Sequence, residues 1–216
     1  MNMETKSNLT IKIVRELIDH GFSVLLYNKD QLAEACGGWC WIDDDENQRE
    51  FAIAMKHPMS FEIILHEYCH FLQWRDDRKL WDRCMATYDI LFEWIRHPSL
   101  VADPFIKDFK ITTDQLDQSL SNILEIEHDC ERRVLKMTKN CPIENFDIDK
   151  YIRAANAYLW SYHLNRELRV RPKNPIYSSE RVLEYMPHTF NNDLSFYLDK
   201  HNLTNSMRQV MLSEYE

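Results

Sequence analysis

The sequence predicts a mainly helical α+β protein with one small antiparallel sheet. Long segments carry apolar residues three and four positions apart, the spacing that places them on one face of a helix. Between residues 39 and 55 the spacing changes to two, which is typical of paired strands. Glycine is scarce, with 3 residues in 216, and this argues against a glycine-rich β architecture. Because 44% of the residues are hydrophobic, the chain can bury one core, and we expect a single domain over residues 1–216.

The first quarter of the chain is expected to supply one helix and the sheet. The predicted elements are a helix at 7–20, a buried strand at 22–27, one or two helical turns at 30–35, and a hairpin at 39–55 around an acidic turn at 43–47. Ser7, Asn8 or Thr10 can cap the helix, and Gly21 can end it. The second strand of the hairpin leads directly into the next helix, so we expect the sheet and that helix to pack together.

The rest of the chain is expected to be helical. The predicted helices lie at 61–74, 80–96, 113–139 and 149–169, with a short helix near 193–197. A charged run at 75–79 separates the first two of them, and Pro98 and Pro104 frame a loop before the third.

Charge and composition limit the possible partners and the compartment. The formal net charge of −9 disfavours binding to nucleic acids or to anionic membranes, because a negative surface repels polyanions. No run of about 18 apolar residues occurs, and the first residues lack the order of a signal peptide. We therefore expect a cytoplasmic protein whose six cysteines are free thiols.

One motif carries chemistry. Residues 66–70 read His-Glu-Tyr-Cys-His, an H-E-x-x-H pattern inside an apolar helix. Residues four apart lie one turn above each other, so His66 and His70 can place two imidazole nitrogens on one metal ion. Glu67 lies about 100° further round the helix, where its carboxylate can take a proton from a water on that ion. The competing interpretation is a buried helix whose histidines are satisfied by hydrogen bonds.

A hydrolytic zinc site has three protein ligands and one open position, so a third ligand is expected. On a helical wheel of the 113–139 helix, Glu127 and Glu131 fall within about 20° of Leu120, in the middle of the apolar face. Glu125 and Asp129 fall on the opposite side. Buried carboxylates need a partner, and a divalent cation is a strong one. Glu127 is therefore the predicted third ligand.

Glu131 lies one helical turn after Glu127 and is predicted to accept a hydrogen bond from His66 or His70 without touching the metal. Two alternatives remain open. Glu125 is the third ligand if the helix is rotated relative to the wheel. Both inward carboxylates can instead belong to a structural network with arginines, for which the candidates are Arg132, Arg153 and Arg166.

The 149–169 helix carries polar groups that can assist a reaction. Tyr158, Tyr162 and His163 are candidates for donating a hydrogen bond to the oxyanion of a tetrahedral intermediate. Tyr158 and Tyr162 are one turn apart, however, and tyrosine at helical spacing usually serves packing.

These motifs carry a family resemblance. H-E-x-x-H followed by a Glu on a later helix resembles the gluzincin class of zinc metallopeptidases. The order of hairpin, H-E-x-x-H helix and Glu helix is similar to the ImmA/IrrE-like family, whose second motif commonly reads E-x-E-A-N; here it reads Glu-His-Asp-Cys-Glu at residues 127–131. The pair of motifs also resembles uncharacterised tailed-phage proteins. The resemblance covers roughly residues 38–140, and the predicted helix at 80–96 makes the gap between the motifs longer than in the compact members.

The resemblance implies a compact zincin-like fold with Zn²⁺ held by His66, His70 and Glu127 and with Glu67 as the general base. The expected function is a zinc-dependent metallopeptidase that hydrolyses a peptide bond of a protein or peptide substrate. The alternative is a non-catalytic module of the same fold that keeps zinc for stability and binds a protein partner. A third and weaker interpretation is a helical protein without metal.

Overall fold

The computed structural model describes residues 3–32, 36–43, 47–96 and 111–216, and it has the mainly helical α+β architecture that the sequence predicts. The chain forms two compact units, each built from two segments. The first unit comprises Met1–Asp77 and Cys130–Tyr151, and the second comprises Arg78–Asp129 and Ile152–Glu216. Within the described residues, no helix combines the length and apolar character needed to cross a membrane.

The first unit contains one helix, the sheet and the helix with the H-E-x-x-H motif. Its elements are α1 (Lys6–Asp19), β1 (Ser23–Tyr27), β2 (Gly38–Asp43), β3 (Gln48–Ala54) and α2 (Ser60–Asp76), followed by the part of α5 (Thr113–Asn140) from Cys130 onward and the first turn of α6 (Ile148–Leu168). Residues 30–32 are not helical, and residues 33–35 of the predicted helical turns lie outside the described residues, as does most of the acidic turn.

The ends of α1 show which capping signals the chain uses. The helix is capped by Thr5, whose side chain accepts from the Asn8 N–H, and not by Ser7, Asn8 or Thr10 as predicted. The prediction was wrong because the helix begins one residue earlier than its apolar stripe suggests. Gly21 does end it: its φ is 82°, its N–H donates to Ile18, and the Phe22 N–H donates to Leu17. These two bonds are a Schellman motif, which favours glycine.

The sheet is mixed and not antiparallel as predicted. Its strand order is β1-β3-β2, with β2 antiparallel to β3 and β1 parallel to β3. After β1 the chain crosses to the opposite edge of the sheet, where it forms β2, and the hairpin then returns it to the centre as β3. β3 therefore lies beside β1 and runs in the same direction. β3 is the central strand, paired on both edges, and its residues Phe51 to Ala54 are fully buried.

The sheet packs against α2, and Gly38 shows how closely. A Cβ atom on Gly38 would lie 2.8 Å from Cγ2 of Ile63 in α2 and 2.8 Å from Cδ1 of Ile53 in β3. Only a residue without a side chain fits between the strand and the helix at this point. On another face of α2, Phe71 is fully buried and its ring packs edge to face against Phe22 at 5.4 Å.

The regular elements described in the second unit are all helices or 3₁₀ turns. Its elements are α3 (Arg78–Met85), α4 (Tyr88–Arg96), the part of α5 up to Asp129, the part of α6 from Ile152, two short 3₁₀ turns (Ile176–Ser178 and Lys200–Asn202), α7 (Glu180–Leu183), α8 (Leu194–Leu198) and α9 (Asn205–Leu212). The long helices predicted at 113–139 and 149–169 are confirmed as α5 and α6. Residues 97–110, in the predicted loop, lie outside the described residues.

The single helix predicted at 80–96 is instead two helices with a break at residues 86 and 87. Two buried polar side chains of α5 stabilise the break. The Ser119 hydroxyl donates to the carbonyl of Thr87 (2.7 Å) and accepts from the N–H of Leu91 (3.1 Å). The Asn122 amide donates to the Thr87 hydroxyl at 2.8 Å. The two Ser119 bonds satisfy the Thr87 carbonyl and the Leu91 N–H, which a continuous helix would have paired with each other.

Candidate metal centre

Two histidines of α2 face each other. His66 and His70 are one helical turn apart, and their Nε2 atoms are 3.1 Å apart. Their rings meet edge to face at 4.8 Å between centroids. Two nitrogens bound at 2.0–2.1 Å to one tetrahedral zinc ion would be about 3.3 Å apart. The spacing of the two Nε2 atoms therefore fits two ligands of one ion.

The other nitrogen of each ring meets an oxygen. His66 Nδ1 lies 3.0 Å from Oε1 of Glu131, and His70 Nδ1 lies 2.8 Å from Oε1 of Gln73. A carboxylate or amide oxygen only accepts hydrogen bonds, so each Nδ1 is the donor, and a ring in its neutral form then has its lone pair on Nε2. Two such lone pairs at this distance repel unless a cation lies with them. This is the arrangement that metal-binding histidines adopt in proteins.

Gln73 was not singled out from the sequence. It is three residues after His70 in α2 and is fully buried. The sequence feature that could have identified it is its spacing from His70, because residues three apart on a helix can form a side-chain hydrogen bond. A buried glutamine one turn after a motif histidine is therefore a candidate for orienting that ring.

Glu131 holds His66 and is itself held by Tyr151. Both side chains are buried, with 3% and 4% of their surfaces exposed. One oxygen of Glu131 meets His66 Nδ1, and the other accepts a short hydrogen bond from the Tyr151 hydroxyl. Burial and the negative charge of Glu131 raise the pKa of Tyr151 well above its usual value, so the phenol stays protonated as a donor.

Cys130 is the residue next to this cluster that sequence reasoning missed. Its fully buried thiol donates to the carbonyl of His66 at 3.1 Å, and its sulfur lies 3.5 Å from His66 Nδ1. One ligand atom from each of His66, His70 and Cys130 lies within 4.8 Å of the others, so this group could hold a metal ion. The thiol lies on the Nδ1 side of the His66 ring, whereas His70 lies on the Nε2 side.

Glu67 is half-buried and lies close enough to β2 to act on a thiol there. The pKa of Cys40 is raised well above its usual value, first by burial and then by the negative charge of Glu67. Cys40 pairs with Phe51 across the hairpin.

The predicted third ligand, Glu127, belongs to the second unit. It is fully buried, and its Oε1 accepts a hydrogen bond of 3.1 Å from the Tyr162 hydroxyl. The hydroxyls of Tyr158 and Tyr162 are 2.6 Å apart. Burial and then the charge of Glu127 raise the pKa of each phenol, so two protonated phenols form a chain that ends on the carboxylate.

Two further candidates have partners within the second unit. Glu125, the alternative third ligand, accepts from Arg83 at 2.5 Å. Nε2 of His163 lies 2.7 Å from the carbonyl of Tyr197 and donates to it, and burial lowers the pKa of His163. Asp129 is only 7% exposed, although the helical wheel placed it opposite the apolar face. The wheel located the apolar face of α5, but residues 126–131 are all buried.

Comparison of the chain with protein-family models, with curated proteins and with solved structures found no match.

Proposed function

We propose that the protein is a zinc-dependent metallopeptidase in which His66 and His70 hold the ion through Nε2 and Glu67 is the general base. The observation that carries the proposal is the pair of Nε2 atoms 3.1 Å apart, with both Nδ1 atoms on oxygen acceptors. In neutral imidazole rings, that pattern directs the lone pairs of the two Nε2 atoms toward one point, as a divalent cation requires. The competing occupant is a proton shared by the two nitrogens, which belongs to the metal-free interpretation.

The donor types favour zinc over magnesium or calcium. Imidazole nitrogens suit zinc and other first-row metals, whereas magnesium and calcium prefer oxygen ligands. The thiol of Cys130 beside His66 has the same preference for soft metals. Zinc has no redox chemistry and is the usual ion of hydrolytic sites with an H-E-x-x-H helix.

Two residues compete for the third ligand position. Glu127 is the sequence prediction, and its complete burial supports it. Cys130 is supported by its distance from the two histidines. We favour Glu127 because the Cys130 thiol already donates to the His66 carbonyl and lies on the Nδ1 edge of that ring, not on the edge that faces His70.

The residues of the chain have distinct roles in the proposed reaction. A bound zinc ion would polarise the scissile carbonyl and make a water molecule easier to deprotonate. Glu67 takes the proton from the attacking water and passes it to the leaving amine. Glu131 and Gln73 hold the two imidazoles in the tautomer that leaves Nε2 for the ion. Tyr158, Tyr162 and His163 remain candidates for stabilising an oxyanion.

The first test is the zinc content of untagged protein, measured by inductively coupled plasma mass spectrometry. We expect about one zinc per chain in the wild type and in Glu67→Gln, and loss of zinc in His66→Ala and Glu127→Ala. Glu125→Ala is the matched control, because it removes a carboxylate of the same helix that Arg83 already pairs. Loss of zinc in Cys130→Ser, with zinc retained in Glu127→Ala, would show that the Cys130 thiol, and not Glu127, is the third ligand. A wild type without stoichiometric metal would refute the metal centre.

The second test separates catalysis from binding. Zinc-loaded protein is incubated with a mixture of quenched fluorescent peptides, and Glu67→Gln is compared with Glu62→Gln. Glu62 is on the same helix and forms an ion pair with Lys6, so its substitution controls for the change of charge. We expect cleavage in the wild type and in Glu62→Gln and a loss of at least about 100-fold in Glu67→Gln. Cleavage unaffected by Glu67→Gln contradicts the proposed base. Bound zinc without any cleavage favours the non-catalytic module.

A further inference from the structure

The hydroxyl of Tyr151 has a role that packing does not explain. The ring of Tyr151 is buried and packs against Phe146 at 5.5 Å between centroids, and a phenylalanine would satisfy that contact equally well. A buried hydroxyl costs free energy unless it is hydrogen-bonded. The Tyr151 hydroxyl is bonded to one group, the outer oxygen of Glu131.

The two histidines are oriented in different ways. His70 is held by Gln73, which is on the same helix and moves with it. His66 is held by Glu131, which is on α5. A carboxylate can rotate and can offer either oxygen to a donor. Unless its second oxygen is also fixed, Glu131 would hold the His66 ring only loosely.

Tyr151 fixes that second oxygen. The contacts run from the Tyr151 hydroxyl in α6 to Oε2 of Glu131, and from Oε1 of Glu131 to Nδ1 of His66 in α2. All three side chains belong to the first unit. Glu131 cannot rotate without losing one of the two bonds, and with 3% of its surface exposed it has little access to water as a replacement.

We infer that Tyr151 is a positioning residue that acts through Glu131, holding His66 with its proton on Nδ1 and its Nε2 toward His70. Its effect on metal binding depends on the metal centre proposed above. Its effect on the tautomer of His66 does not, because the contacts exist without an ion. The inference can therefore be tested even if the peptidase proposal fails.

The test compares Tyr151→Phe with Tyr68→Phe. Tyr68 is a close match: its hydroxyl donates to one oxygen of Glu16 at 2.5 Å, while the other oxygen of Glu16 accepts from Arg75. Both substitutions therefore remove a phenol from a carboxylate that has a second partner, but only Glu131 contacts a histidine. Thermal melting of both variants shows whether each has folded.

The first measurement is zinc affinity, determined by competition with a chromophoric chelator. Replacing the outer partners of a metal-binding histidine weakens affinity by about 10- to 100-fold. We expect the lower end, about tenfold, for Tyr151→Phe because Glu131 itself remains, and no change for Tyr68→Phe. Equal zinc affinity in Tyr151→Phe and wild type would overturn the inference, as would an equal loss in both variants.

The second measurement is the tautomer of His66 in metal-stripped protein, read from long-range ¹H–¹⁵N correlation spectra. We expect the Nδ1–H form in the wild type and in Tyr68→Phe, and an increased share of the Nε2–H form in Tyr151→Phe. If wild-type protein binds no zinc, the proposed function fails and this measurement alone decides the role of Tyr151. An unchanged His66 tautomer in Tyr151→Phe would then overturn the inference.

Discussion

Replacing Gly38 by alanine tests how tightly the sheet packs on the helix that carries the two histidines. The added Cβ would lie 2.8 Å from Cγ2 of Ile63, 2.8 Å from Cδ1 of Ile53 and 2.9 Å from the carbonyl oxygen of Ala52. Cδ1 of Ile53 is the end of a flexible side chain and can rotate away. The other two atoms are tied to the backbone of α2 and β3, so the substitution has to shift β2 away from them.

Two opposing effects determine the size of the change. Gly→Ala at a position without strain stabilises a protein by about 0.4–1 kcal/mol, because it lowers the entropy of the unfolded chain. Overpacking a filled core costs about 1–3 kcal/mol. Overlap with three atoms, one of them a backbone oxygen, places Gly38 toward the upper part of that range. We expect a net loss of about 1–2 kcal/mol in the free energy of unfolding.

Urea denaturation of four proteins measures this: wild type, Gly38→Ala, Ile63→Ala and the double variant. Ile63→Ala removes the Cγ2 atom that the new methyl group would meet. The cost of Gly38→Ala should therefore be smaller in the Ile63→Ala background, with a coupling energy of at least about 0.5 kcal/mol. A neutral or stabilising Gly38→Ala would refute the close approach of β2 to α2. Strict additivity would refute the assignment of the clash to Ile63.

Two further predictions follow from shifted pKa values. Burial lowers the pKa of His163, so the unfolded state takes up a proton more readily than the folded state. The free energy of unfolding is therefore highest above about pH 6.5, the ordinary pKa of histidine. It decreases as the pH falls through the lower pKa of the folded state. Urea denaturation between about pH 7 and 5 should therefore show a smaller loss of stability in His163→Gln than in wild type, and parallel curves would contradict the depressed pKa. Burial and Glu67 raise the pKa of Cys40, so Cys40 should react faster with iodoacetamide in folded Glu67→Gln than in wild type, as followed by peptide mass spectrometry. Equal rates would show that the charge of Glu67 does not reach the thiol.

The sequence could predict the elements whose signals are local. Helical periodicity located α2, α5 and α6, and alternation located the hairpin. The spacing of His66 and His70 predicted that they share a face of a helix, because four residues nearly complete one turn. The direction of β1 could not be predicted in the same way, since pairing β1 with β3 depends on which strand lies in the centre of the sheet.

The partners of polar side chains were harder to predict, because they come from other elements. Ser119 and Asn122 look like ordinary polar positions of a long helix, yet they stabilise the break between α3 and α4. The helical wheel of α5 did not indicate the burial of Asp129, for a related reason. A helical wheel assumes that a helix has one buried face and one exposed face. Residues 126–131 of α5 are all buried, so the angular position of a residue on the wheel does not indicate its exposure there.

The partners of the inward carboxylates of Glu127 and Glu131 determine whether their negative charge is neutralised. The sequence left open that arginines neutralise them; of the candidate arginines, Arg166 donates to Asp117. Glu131 accepts from Tyr151 and from a histidine nitrogen. An arginine would cancel the negative charge, whereas a phenol and a neutral imidazole only solvate it.

The charge of Glu131 therefore remains in a buried environment, where electrostatic interactions are stronger than in water. It makes the His66 ring a better electron donor and favours a cation beside its Nε2. On this argument Tyr151→Phe and Glu131→Gln should weaken zinc binding by different amounts. Tyr151→Phe loosens the carboxylate but keeps its charge, while Glu131→Gln removes the charge and keeps the shape. A larger loss of zinc affinity in Glu131→Gln than in Tyr151→Phe is the expected order, and the reverse order would mean that orientation matters more than charge at this centre.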